Sequence, residues 1–179
     1  MRNFGILALT GLLGGALPAA AQQAGQGAAS GAQPNSRANF VLVATAAPTD
    51  SVFAGLRRYL RNNGFVLDTL DPTRGLLTTR VLELGEILAE QMKIRAVRQA
   101  EGWRLTGVYL IGGPQLRGFA SFTAFPATYF GLNDAPAKIA FRQVEAAARA
   151  IPGGTLNYGR AKVPFGAFTK WQDALKMPW

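Results

Sequence analysis

Residues 38–82 spell a strand, a capped amphipathic helix and a hairpin, and no other stretch of the chain limits the fold as tightly. Residues 39–46 (Asn-Phe-Val-Leu-Val-Ala-Thr-Ala) are uncharged, largely apolar and partly β-branched. Such a run is too short to cross a bilayer and suits a strand covered on at least one face. Pro48 ends it. Thr49 or Asp50 is then placed to cap a helix, and an acid there complements the positive end of the helix dipole. Val52, Phe53, Leu56, Tyr59 and Leu60 recur at helical spacing as one apolar stripe, with Arg57, Arg58 and Arg61 on other faces. Asn62-Asn63-Gly64 closes the helix, because Gly64 can adopt the left-handed conformation and let Phe65 fold back on Leu60. Residues 66–70 and 76–82 are β-prone, and Asp71-Pro72-Thr73-Arg74-Gly75 between them predicts a hairpin with a bulged turn.

A helix with one apolar stripe must bury it, and the adjacent sheet is the available partner. Downstream, residues 92–98 alternate: Met92, Ile94 and Ala96 on one side, Lys93 and Arg95 on the other. Glu101-Gly102 turns the chain and residues 103–111 return, which predicts a second hairpin with one wet face. Residues 116–125, rich in Phe119, Phe122 and Phe125, form a further strand, followed by a loop with Tyr129 and Phe130. Asn133, Asp134 and Pro136 start a second helix that should reach Ile151, burying Phe141, Val144, Ala148 and Ile151. Lys138, Arg142, Glu145 and Arg149 lie opposite, with helical charge pairs at 142/145 and 145/149. Residues 83–90 fit either a helical turn or a loop. The tail offers an apolar pair, Val163 and Phe165, and a short helical segment in which Phe168, Trp171 and Leu175 share a face. The expected fold is therefore α+β: an antiparallel sheet of five to six strands with two main helices packed on one face.

The same 179 residues point to export. Met1-Arg2-Asn3, an uncharged apolar run over 4–16 and the small residues Ala19-Ala20-Ala21 have the layout of a secretory signal peptide cleaved after residue 21. A retained membrane anchor fits less well, since glycines interrupt the run and it is short for a span. No cysteine occurs, so there is no thiol to carry a lipid anchor and no disulfide. Residues 22–37 contain no large apolar side chain and read as a flexible tether ahead of one domain, 38–179. The chain carries 19 Lys and Arg against 10 acids, +9, or +8 without Arg2. That excess favours anionic partners such as lipid headgroups, lipopolysaccharide or cell-wall polymers, and export disfavours nucleic acid. The expected location is periplasmic or extracellular.

Chemistry is limited by what the chain lacks. Without histidine or cysteine there is no Ser-His or Cys-His pair and no ordinary transition-metal ligand set, so no cofactor or metal is expected. A paired-carboxylate hydrolase would have to draw on Asp68, Asp71, Glu83, Glu86 and Glu90; the turn explains Asp71 and a solvated strand face explains Asp68. Gly112-Gly113-Pro114 and Gly153-Gly154 precede no helix in the manner of a phosphate loop, and read as chain reversals. The constellation that remains is cationic and aromatic. Lys93, Arg95, Arg104 and Arg117 can occupy the solvent face of adjacent strands, with Phe119, Tyr129 and Phe130 close in sequence, and so contact an anionic polymer or membrane surface. The competing explanation is a solvated sheet face with aromatics in the core. Trp171, Met177 and Trp179 can dock a partner or simply cover an open part of their own sheet.

The order strand, helix, hairpin, hairpin, strand, long helix over 38–151 resembles the repeat domains of the outer-membrane assembly lipoprotein BamC and other helix-grip-like modules. The likeness rests on element order, and the missing lipidated cysteine departs from BamC. It implies a non-enzymatic binding or scaffold role in the cell envelope. An alternative is a small apolar-ligand binder, with a pocket between sheet and long helix lined by Ile94, Leu105, Tyr109, Phe122, Val144 and Ala148.

Overall fold

The computed structural model describes residues 33–84, 91–112, 122–166, 169–177 and 179, with residue 122 described in its backbone alone. Eight strands form one sheet: β1 (Phe40–Ala44), β2 (Leu67–Asp71), β3 (Leu76–Thr79), β4 (Leu82–Glu83), β5 (Gln91–Gln99), β6 (Gly102–Gly112), β7 (Phe122–Pro126) and β8 (Thr155–Gly159). Helices α1 (Thr49–Asn62), α2 (Pro136–Arg149) and α3 (Trp171–Ala174) complete the order. The strands run β2-β3-β5-β6-β1-β8, all antiparallel, with β4 beside β5 and β7 beside β6. The fold is α+β as expected, with more strands than the five or six anticipated.

The helix α1 closes as its sequence dictates. Gly64 takes φ +79°, Gly64 N donates to Arg61 O (3.1 Å) and Phe65 N to Leu60 O (2.8 Å), the paired bonds of a Schellman cap. Phe65 and Leu60 are both buried. The N-terminal expectation fails: the cap position is Pro48, and no side chain caps the helix. Thr49 Oγ1 instead accepts a hydrogen bond from Arg98 Nη1 (3.2 Å), and Asp50 acts within the first turn. Likewise α2 begins after Ala135 without a side-chain cap and ends at Arg149, two residues short of Ile151, which is buried beyond the helix. Glu145 pairs with Arg149 (2.6 Å), whereas Arg142 turns away to Asn133.

Helices α1 and α2 cover one face of the sheet. Val52, Phe53, Leu56 and Leu60 of α1 and Ala140, Phe141, Val144, Ala147 and Ala148 of α2 bury against Val41, Val43, Ile94, Trp103 and Leu105. Phe53 meets Trp103 edge-on at 5.2 Å, and Tyr59 Oη donates to Gln143 Oε1 (2.9 Å) across the two helices. Each such apolar side chain contributes about 1.5–3 kcal/mol of burial.

The second face departs from the expectation of a wet surface. Val108 and Leu110 of β6 and Ala124 of β7 are covered by Phe165, Ala174 and Trp179, with Val163, Trp171, Leu175 and Met177 packed around them. The tail thus forms a third layer over the apolar half of this face. It also contains β8, absent from the sequence reading, which pairs with β1 from Phe40↔Gly159 to Ala44↔Thr155. Of the strand predicted over 116–125, residues 122–125 lie in β7; residues 113–121 and most of the ambiguous 83–90 stretch lie outside the described residues.

Candidate anion-binding site

Strand β6 changes character along its second face. Direct partners in a ladder point to the same side of the sheet, so the register Lys93↔Val108, Arg95↔Thr106 and Val97↔Arg104 gathers these side chains on the face away from α1 and α2. The tail covers the apolar end. At the polar end it leaves a concavity of about 290 Å³ lined by Asn39, Arg95, Gln99, Arg104, Thr106 and Lys162 and bordered by Trp179.

Three of the four cations assigned from sequence are in the described structure, and they differ in what they do. Lys93 is engaged: its Nζ lies 3.1 Å from Asp68 Oδ2, to which Thr78 Oγ1 also donates (3.3 Å). This hydrogen bond to Lys93, opposed in part by burial, holds the Asp68 carboxyl below its ordinary value. Arg95 and Arg104 pair with no acidic side chain among the described residues. Burial lowers the pKa of both guanidiniums, and for Arg95 the like charge of Arg104 adds to the effect. Arg104 sits over the Phe40 ring at 4.4 Å, and its Nε is buried with no hydrogen-bond partner. Arg95 Nη1 (3.1 Å) and Thr106 Oγ1 (3.2 Å) both donate to the Trp179 main-chain oxygen. Arg117 and Phe119 lie outside the described residues.

Two partly buried guanidiniums of like charge repel each other, and an anion beside them relieves that repulsion. Their forked N–H groups match the oxygens of a carboxylate, sulfate or phosphate. The Trp179 oxygen already occupies part of this donor set. No nucleophile-base pair accompanies it, and the described residues contain no group of three metal-ligating side chains. The arrangement presents guanidinium and hydroxyl donors to one side of the cleft.

The carboxylates do not converge here. Asp68 is paired with Lys93, Asp71 accepts from Arg74 N in its turn (3.0 Å), and Glu83 accepts from Gln91 Nε2 (3.4 Å). None of the three lines the cleft; Glu86 and Glu90 lie outside the described residues. Of the apolar-pocket positions, Ile94, Leu105, Val144 and Ala148 are occupied by packing, whereas Tyr109 lines a groove with Phe125 and Ala137. Ile94, Leu105, Val144 and Ala148 are fully buried and Tyr109 nearly so, stacked on Phe125 at 5.5 Å. A Cβ on Gly107 would lie 2.7 Å from Val144 Cγ2 and 3.0 Å from Met92 Cε, so α2 rests directly on β6 at this point. Phe122 belongs to β7 by its backbone.

Sequence reasoning missed Thr106, Asn39 and Lys162. Thr106 was legible as the residue two beyond Arg104 on one strand. Asn39 and Lys162 were not, because β8 brings the 160–163 segment to β1: Asn39 Nδ2 donates to Ala161 O (2.8 Å) and Asn39 Oδ1 accepts from Ala161 N (2.9 Å). The period-two pattern of Thr155-Leu-Asn-Tyr between glycines was the available signal.

No protein-family model matches this chain, and no curated protein matches it.

Proposed function

We propose that this chain is an exported, non-enzymatic binding protein of the bacterial cell envelope, and that it holds an anionic component through the cleft around Arg95 and Arg104. The observation that carries the reading is the pair of half-buried guanidiniums without an acidic side-chain partner, one with an unbonded Nε. Buried cations are ordinarily paired, and breaking such pairing is costly. Two cations with no acidic side chain beside them, Arg95 donating to the Trp179 main-chain oxygen and Arg104 with an unbonded Nε, border an open cavity whose composition suits negative charge. The signal-like first 21 residues, the net charge of +8 that remains without Arg2 and the resemblance of the element order to BamC-like envelope domains support the same reading.

The test compares the chain from Gln22 onward, which keeps every residue of the described fold, with an Arg95→Gln/Arg104→Gln variant. Retention is measured on anionic vesicles and on polyphosphate, at low and high salt. Retention of the wild type should fall steeply with salt, since the screening length drops from about 30 Å at 0.01 M to about 3 Å at 1 M. The folded double variant should lose most of it. Equal retention of a folded double variant would sink the cleft as the binding site.

A further inference from the structure

The large apolar side chains that remain exposed among the described residues are few, and two of them stand together. Phe130 is 53% exposed and Leu132 78% exposed, in the loop between β7 and α2. A scattered exposed leucine needs no explanation, but a close pair framed by charge marks a contact surface. The loop is also held in place. Arg37 N donates to Tyr129 O (2.9 Å) and Tyr129 N to Ala38 O (2.8 Å), which ties it to the approach to β1. Lys138 Nζ (3.1 Å) and Arg142 Nη2 (3.0 Å) both donate to Asn133 Oδ1, and Lys138 lies 4.7 Å from the centre of the Tyr129 ring. The Arg37 guanidinium lies 5.1 Å from the centre of the Phe130 ring. The apolar tip is therefore presented by a cationic collar, in which Asp134 is the acid of the loop.

The groove beside this loop, about 760 Å³, has an apolar floor of Tyr109, Phe125 and Ala137 and carries Arg37, Arg160 and Lys162 among its lining residues. Asn39, Pro126, Ala161, Lys162 and Val163 line both this groove and the Arg95/Arg104 cleft, so the two concavities abut. Apolar tip, cationic collar and the three cations of the mixed groove have the composition of a surface that sits at a charged bilayer, with the tip in the headgroup–acyl boundary and the cations among the phosphates.

We propose that the loop bearing Phe130 and Leu132 docks this protein on an anionic phospholipid surface, inserting both side chains while Arg37, Lys138, Arg142 and Lys162 meet the headgroups. The inference names the partner of the anion-binding reading and rests on it. Charge complementarity selects lipid phosphate, and the paired apolar tip selects a bilayer over a soluble polymer, which offers nothing for Leu132 to enter.

The chain from Gln22 is mixed with vesicles of phosphatidylglycerol and phosphatidylcholine, with phosphatidylcholine alone, and with polyphosphate. Wild type should sediment with the anionic vesicles, and Phe130→Ser/Leu132→Ser should bind them at least about ten-fold more weakly, a tenfold change being 1.4 kcal/mol. The serine variant should bind polyphosphate as well as wild type does. Because the chain has no cysteine, Leu132→Cys carrying an environment-sensitive fluorophore gives a second readout. Its emission should shift to the blue with anionic vesicles, while the same label at Arg74→Cys stays silent. Equal vesicle binding by the serine variant, equal binding of wild type to neutral vesicles, or an unshifted label at 132 would each overturn the docking inference. Wild type that binds polyphosphate but no vesicle would overturn it and leave the anion-binding reading standing. Loss of both binding modes in wild type would overturn the two together.

Discussion

Single side chains in this fold do different work according to what surrounds them, and the charges on the two faces of the sheet illustrate it. Glu145 joins the helical layer to β8: it pairs with Arg149 (2.6 Å) and accepts from Tyr158 Oη (2.7 Å). Burial of Tyr158, then its bond to Glu145, pushes the phenol up to about 12. A folded-state value above the unfolded one favours the protonated form, so this contribution to stability is complete below the ordinary tyrosine range near 10 and is lost as the pH climbs toward 12. An absorbance titration at 295 nm, taken while near-ultraviolet dichroism stays native, should include a late component with a midpoint near 12. Tyr158→Phe should remove that component, and its persistence would assign the late titration to another residue. Arg95 and Arg104 show the opposite economy, since their partial burial destabilises the charges they carry. The alternation that placed them on one face of adjacent strands was readable in the sequence; their lack of acidic side-chain partners was not, because partner choice depends on which strands become neighbours.

At the level of elements, local rules hold where the local sequence carries the whole interaction. The Schellman cap of α1 needs Gly64, Leu60 and Phe65, all within six residues, and it forms as read. Gly64→Ala should cost roughly 1 kcal/mol by forcing a Cβ into the left-handed region. Urea unfolding should show a lower midpoint at unchanged slope, and an unchanged midpoint would place the end of α1 outside the cooperative unit. The N-terminal caps fail because the helices start elsewhere: Pro48 and Ala135 hold the cap positions, while the Thr49 and Asn133 side-chain oxygens accept from Arg98 and from Lys138 with Arg142. Strand β8 escaped notice because half of its evidence lies in β1, more than 100 residues earlier. The tail is an element of the same kind, meaningful only against Val108, Leu110 and Ala124.

For the molecule as a whole, the sheet is a partition between two unlike layers. The helices seal one face into a continuous core; on the other, the tail seals only the apolar half and leaves a cationic cleft beside it. A ligand that binds the native state alone stabilises it by about 2.7 kcal/mol at one hundred times its dissociation constant. For a domain of this size that corresponds to a rise on the order of 5–10 °C in melting temperature. Polyphosphate should produce such a rise in wild type at low salt and little in Arg95→Gln/Arg104→Gln. Equal shifts in both would show that the anion acts through general screening rather than at the cleft.

By itself the sequence determined the α+β class, the antiparallel hairpins, both long helices and the faces they bury, because each of these follows from a periodicity or a turn within a few neighbouring residues. It also placed Lys93, Arg95 and Arg104 on one side of a sheet. Only the tertiary structure decided that Lys93 is neutralised by Asp68, that the tail shields the neighbouring apolar surface, and that Lys162 and Thr106 join the arginines. It decided too that Ile94, Leu105, Val144 and Ala148 pack as core. Those outcomes depend on which distant segments meet, and the free energy that brings them together comes from burial shared between layers rather than from any preference written in one of them.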